Sequence, residues 1–291
     1  MKVRVGYGLG VRTPTVDGDR LGDLVDALED LRFDSLWLSE RLGGDCPDPM
    51  VGLAFAAARS RRLKLGTSVQ VLPGRNPFVV AKQWATLDRL SGGRCLPAFG
   101  LGVADPREQA AFGVERKQRA GLFDELLPKV RRLWAGEEVD GASVAPRPVQ
   151  EPLDVWLGGI APSELRRVGR LGDGWLPSFC TPEDVAAARP VVEAEAAAHD
   201  RVFDPEHWGA LIPYLPAAGE LPELLVAAVA ARRPDVDAAR IVPAGLDAVR
   251  EMIGAFVAAG ASKFVLVPVV EPEGWSSHLA SLAEAVRPLE N

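Results

Sequence analysis

The residues best suited to chemistry lie where apolar runs give way to loops. Ser39-Glu40-Arg41 closes the run DSLWLS. An arginine at such a place can hold an anionic cofactor or substrate group, and a glutamate can fix nearby backbone or relay a proton. The pair can equally be a structural ion pair. Gly158-Gly159-Ile160-Ala161-Pro162-Ser163 separates an apolar run from a helical segment. Glycines there let backbone approach a ligand closely, and helix N-terminal N–H groups favour anions. The plainer alternative is a turn in which Ser163 caps the helix. Gly100-Leu101-Gly102 ends another apolar run. Two small residues there open space for a ring, or allow a close-packed corner.

Other chemistries find little support. His199, His207 and His278 are scattered, and no His, Cys, Asp or Glu spacing suits a metal ion. Cys46, Cys95 and Cys180 form no CxxC pair and have no histidine partner for nucleophilic catalysis. No GxGxxG follows the first strand and no GxxxxGK[ST] occurs, so neither a Rossmann site nor a P-loop is supported. The net charge of −7, without a basic stripe, argues against nucleic acid. Three cysteines suggest no disulfide framework and fit a reducing cytoplasm; no segment reads as a signal peptide or membrane span.

The elements that must carry these residues alternate along the 291-residue chain. Short β-branched runs are expected as strands at Val3–Leu9, Asp34–Ser39, Leu63–Leu72, Cys95–Leu101, Asp154–Leu157, Gly174–Pro177, Trp208–Leu215 and Phe264–Val270. Helical segments lie between them. Leu21, Leu24, Val25, Leu28 and Leu31 share one helix face, and Pro77–Leu90 starts with proline as a helix can. Eight strands, each followed by a helix, predict an α/β protein of the (β/α)₈ barrel class, with a doubly wound open sheet as the rival. The irregular stretch Ala135–Pro152 reads as a short insertion between strands 4 and 5 of one domain spanning 1–291. In a barrel the site lies at the carboxyl ends of the strands, at Gly8–Arg12, Ser39–Arg41, Ser68–Asn76, Gly100–Ala104, Gly158–Ser163, Leu176–Thr181, Pro213–Leu215 and Pro268–Glu271. Arg75 could face that mouth, and Asn76 reads as a helix start.

The stretch RLKLGTSVQVLPGRNPFVVAKQWATLDRLSGGR (Arg62–Arg94) resembles the strand 3 to helix 3 signature of the luciferase-like flavin and deazaflavin oxidoreductases. FDSLWLSER, LPAFGLG, PLDVWLGGIAPSELRRVGRLGDGW and GAFVAAGASKFVLVP agree with that superfamily in order. The resemblance implies a luciferase-like TIM barrel and a non-proline cis peptide at Ser68–Val69 backing the cofactor ring. It places the phosphate-bearing tail near Gly158–Ser163. The cofactor lining it implies is Gly8, Ser39, Ser68, Val69, Gly100, Gly102, Gly158, Gly159, Ala161 and Ser163, with Glu40 and Arg41 as candidate catalytic residues and Leu101, Trp175 and Tyr214 shaping the substrate pocket. The leading function is hydride transfer between coenzyme F-420 and a small organic substrate. FMN-dependent monooxygenation and non-catalytic flavin or deazaflavin binding are the alternatives, the last because relatives often carry a longer hairpin at Ala135–Pro152. Relatives often pair, so a cytoplasmic homodimer is expected, with a small molecule as partner and neither nucleic acid nor membrane. Two departures stand out. Many deazaflavin relatives have Asp-His where this chain has Glu40-Arg41. The family's glucose-6-phosphate dehydrogenases carry a glutamate where this chain has Val103. Both changes argue against sugar oxidation.

Overall fold

Strand starts and stops follow the burial pattern. Arg4–Leu9 forms β1, with every residue after Arg4 buried, and Ser35–Leu38 forms β2, buried throughout. Between them lies α1 (Gly18–Asp30), capped by Asp17, whose carboxylate accepts from the Arg20 N–H at 2.8 Å. In this computed structural model residues 1–10, 17–272 and 274–290 are described, so Val11 and Arg12 of the first strand-end loop lie outside the described residues.

Helix α2 (Pro49–Arg59) leads to β3 (Lys64–Thr67) and β4 (Gln70–Val71). The single strand expected over Leu63–Leu72 is thus broken at Ser68-Val69, whose peptide bond is cis. Helix α3 (Pro77–Ser91) is capped by Asn76, which accepts from the Phe78 N–H at 2.9 Å. Strand 4 is likewise two pieces, β5 (Cys95–Leu96) and β6 (Ala98–Gly100), parted at Pro97, which has no N–H to give a ladder. Then come α4 (Pro106–Phe112), which the sequence reading lacked, α5 (Arg119–Trp134), β7 (Trp156–Leu157), α6 (Pro162–Leu171), β8 (Gly174–Trp175) and α7 (Pro182–Ala197). The chain continues through β9 (Gly209–Tyr214), α8 (Glu223–Ala230), α9 (Leu246–Ala258), β10 (Lys263–Pro268) and α10 (Trp275–Val286).

All strand pairs are parallel. One sheet runs β5-β3-β2-β1-β10-β9 and the other β4-β6-β7-β8. The broken strands pass from one sheet to the other, since β3 pairs with β5 and β4 with β6. On the far side, parallel bridges Trp175↔Trp208 and Ser178↔Leu211 tie β8 and its continuation to β9. The ring is an eight-stranded parallel barrel, which excludes the open doubly wound sheet.

Side chains alternate along each strand. Leu36, Leu38 and Leu266 pack outward against the helices. Trp37, Ala98, Trp156, Leu176, Val265 and Val267 point inward and fill the barrel as a separate cluster. Room for the two inward tryptophans comes from glycine: a Cβ on Gly66 would sit 2.4 Å from the Trp37 ring, and one on Gly174 2.4 Å from that of Trp156. Near the strand starts the Lys263 ammonium, 3% exposed, donates to Asp34 at 2.6 Å. Burial raises the Asp34 pKa, but Lys263 and Lys64 outweigh it and bring it down to about 2. The filled lower barrel leaves the carboxyl ends of the strands as the place where space can open.

Candidate functional site

A cavity of about 740 Å³ opens at those carboxyl ends. Its size suits a drug-sized ligand or cofactor portion. One side is polar. Ser39, just after β2, donates its hydroxyl to the Ser68 carbonyl at 3.1 Å and lies 3.2 Å from the Ser68 hydroxyl. The Glu40 N–H donates to the Val69 carbonyl at 3.3 Å, so the β2 end and the cis peptide are stitched together.

Glu40 and Arg41 do not form an ion pair with each other. The Glu40 carboxylate accepts from the Val71 N–H at 2.7 Å and pairs with Arg75, whose Nε donates back to the Val71 carbonyl at 2.8 Å. Glu40 and Arg75 therefore clamp β4 from both sides. Burial pushes the Glu40 pKa above its ordinary value, opposed by the Arg75 charge and the Val71 N–H. Arg75, expected to face the mouth, is held in this clamp and lies over the Phe112 ring at 5.7 Å. Arg41 reaches Glu108 of α4 at 3.4 Å and Asp105 at 3.7 Å. Glu108 also accepts from the Gly43 N–H at 3.0 Å and the Leu42 N–H at 3.3 Å, tying the loop after β2 to α4.

On the next wall, Gly100 is the close-packed kind of glycine: a Cβ there would meet Val69 Cγ2 at 2.4 Å. Its lack of a side chain makes room for Val69 and brings the two strands together beside the cavity. Arg119 of α5 donates to the carbonyls of Leu101, Gly102 and Val103 at 3.1, 2.7 and 2.8 Å and so fixes the loop after β6.

The Gly158-Gly159 turn is pinned by the Trp175 indole, which donates to the Gly159 carbonyl at 2.8 Å. Gly159 has φ +96°, which favours glycine. The N-terminus of α6 is already served by its own chain. Glu164 accepts from the Ile160 N–H at 3.1 Å and the Ala161 N–H at 3.0 Å. Ala161 is the N-cap residue; Ser163, for which capping is the plainer alternative to cofactor binding, lies inside the first turn instead. Arg167 lines the cavity with its Nε 2.5 Å from Asp124, which also holds Arg170 at 2.6 Å.

Of the residues singled out from sequence, Ser39, Glu40, Arg41, Ser68, Val69, Gly100, Gly102, Gly158 and Gly159 share this one cavity, as does Leu101. Gly8, Ala161 and Ser163 are not among its lining residues. Gly8 faces the barrel interior, where a Cβ would sit 2.7 Å from Val267. Trp175 and Tyr214 turn outward into the core beneath the helices. Sequence reasoning did not single out Glu108, Arg119 or Glu164; Glu108 and Glu164 had a local signal, each three residues after a helix N-cap, and Arg119 had none. Among the described residues no group of three or more His, Cys, Asp or Glu is placed to hold a metal ion, and no helix is long and apolar enough to cross a membrane.

A family model described as luciferase-like monooxygenase matches residues 4–253. The chain belongs to the luciferase-like monooxygenase family. It is 31% identical over 214 residues to an F420-dependent glucose-6-phosphate dehydrogenase of Nakamurella multipartita, covering 65% of this chain and 62% of that protein. It is 31% identical over 226 residues to the protein of the same name from Beutenbergia cavernae, covering 63% of this chain and 66% of that one. The chain thus matches less than two thirds of the length of these relatives. Its fold matches that of an F420-dependent secondary alcohol dehydrogenase with a TM-score of 0.82 at 19% identity, over 100% of both chains.

Proposed function

We propose that this luciferase-like barrel is an oxidoreductase that uses coenzyme F-420. The observation carrying this reading is the convergence of Ser39, Ser68, Val69, Gly100, Gly158 and Gly159, from four separate strand ends, on one cavity in a family whose relatives include F420-dependent enzymes. The coenzyme, when bound, would accept or donate a hydride. The residues present fit a ring: Val69 and Gly100 would offer it an apolar wall, with the Ser39 and Ser68 hydroxyls in the same cavity. The tail is a looser fit, because the Ile160 and Ala161 N–H groups that favour an anion already hold Glu164. An anionic tail at those groups requires the Glu164 carboxylate to turn away; Arg167, which lines the same cavity while paired with Asp124, would be the cation on that side.

Glu40 is assigned to position β4, and Arg41 to hold the rim loop to α4. Neither is left with an unshared charge for proton transfer. The relatives' sugar substrate is not carried over. By the resemblance, Arg41 and Val103 stand where a histidine and a glutamate would serve sugar oxidation, and both line the cavity. Fluorescence titration of the purified protein with coenzyme F-420 and with FMN tests the reading. Saturable binding of F-420 is expected; tight FMN binding without a response to F-420 would replace the reading with a flavin monooxygenase.

A further inference from the structure

The cavity has a second half that the coenzyme reading leaves unused. Across from Ser39 and Ser68 the wall is built from the ends of β9 and β10 and from α8. Leu211, Pro213, Val267 and Val269 line it from the strands, and Leu225 and Ala228 from the helix. All are apolar. The polar half differs sharply, but its carboxylates are engaged: Glu40 with Arg75, Glu108 with Arg41, and Glu164 with the N-terminus of α6.

Helix α8 sharpens the contrast. Its sequence, ELLVAAVA, has no polar residue after Glu223, and Val229 is its one buried residue. Leu224 is 81% exposed while lining the cavity mouth. Leu225 and Ala228 are half-buried facing the same space. Apolar side chains left open to a cavity gain from an occupant that covers them. The rim beside this wall carries Phe179 with the Arg232 guanidinium 4.5 Å from its ring centroid.

We infer that the half of the cavity between α8 and the ends of β9 and β10 binds a neutral, hydrocarbon-rich substrate and discriminates against phosphorylated sugars. The inference rests on the proposed function only in calling the occupant a substrate. A phosphorylated sugar would bring several hydroxyls and a dianion to a wall of aliphatic side chains whose polar neighbours in the lining are Ser178 and Arg232, and desolvating the hydroxyls left unpaired is costly. A hydrocarbon chain loses nothing there.

The test needs no coenzyme and so can fail independently of the F-420 reading. Nile red, a neutral apolar fluorophore, is titrated into the full-length protein and then competed with 2-decanone, decanoate or glucose 6-phosphate. Saturable Nile red fluorescence is expected, displaced by 2-decanone and not by glucose 6-phosphate. Ala228→Glu and Leu211→Glu should each weaken Nile red binding at least tenfold. Circular dichroism identifies a variant that fails to fold, and the other then decides. Displacement by glucose 6-phosphate, failure of 2-decanone to displace, or unchanged Nile red affinity in a folded variant would overturn the inference. So would displacement by decanoate alone, which would assign the site to an anion near Arg232. F-420 titration of the same protein reports separately on the coenzyme.

Discussion

Replacing Arg75 with methionine tests the clamp on which the polar half of the cavity depends. Arg75 holds Glu40, whose side chain is 2% exposed, and Arg75 itself is 22% exposed. Removing one partner of a fully buried pair costs about 3–5 kcal/mol, because the remaining charge is stranded. Water reaches Arg75, and the Val71 N–H still serves Glu40, so the cost falls at or just below the bottom of that range: about 2–3 kcal/mol at neutral pH. The pH dependence follows from Glu40. Its folded pKa lies above the ordinary value, so its contribution is fully present below the unfolded pKa and is lost as pH rises through the folded pKa. Without Arg75 that pKa moves higher still. The gap between wild type and Arg75→Met should therefore widen as pH rises from the ordinary carboxylate range toward neutral. Urea unfolding followed by tryptophan fluorescence measures it. Adding Glu40→Gln should recover all but about 1 kcal/mol, since no stranded charge remains. A cost under about 1 kcal/mol, a gap independent of pH, or strict additivity in the double variant would refute the clamp.

Three further perturbations address other parts of the molecule. Asp34→Asn strands the buried Lys263, so it should cost about 3 kcal/mol in urea unfolding at neutral pH. Because the Asp34 pKa is depressed to about 2, the wild type should lose stability as pH falls from the ordinary carboxylate range through that value, a loss the variant lacks; parallel acid profiles would contradict it. Gly100→Leu drives a side chain into Val69, already 2.4 Å from a Cβ at that position, and should weaken F-420 binding at least tenfold, or about 1.4 kcal/mol; unchanged affinity would show that this wall does not touch the coenzyme. Glu164→Gln removes the negative charge from the α6 N-terminus and should tighten F-420 binding severalfold in the same titration, whereas weaker or unchanged binding would place the anionic tail elsewhere.

The barrel was legible because alternation and helical spacing are local signals. All eight expected strands are present, two of them as broken pairs, and helix starts such as Asn76-Pro77 fall where side-chain chemistry places them. Helix α4 escaped notice although Asp105-Pro106 is a good start signal. It is seven residues long with Glu108 as its one buried residue, so no apolar period marks it. Partners were harder still. Glu40 and Arg41 are adjacent in sequence, which suggested a mutual pair, but neighbouring residues leaving a strand point to opposite sides. They find Arg75 and Glu108, 35 and 67 residues away. Spacing along the chain carries no trace of such contacts. Ser163 illustrates the same limit at short range: the sequence offered a hydroxyl for the cap, and the fold used Glu164.

The central claim is that the cavity at the carboxyl ends of the strands holds coenzyme F-420. A crystal structure of the protein with the coenzyme bound tests it most directly. The expected result is ring density against Val69 and Gly100, within reach of the Ser39 and Ser68 hydroxyls, with the Glu164 carboxylate displaced from the Ile160 and Ala161 N–H groups. Coenzyme density away from that wall, or FMN retained there in its place, would contradict the claim.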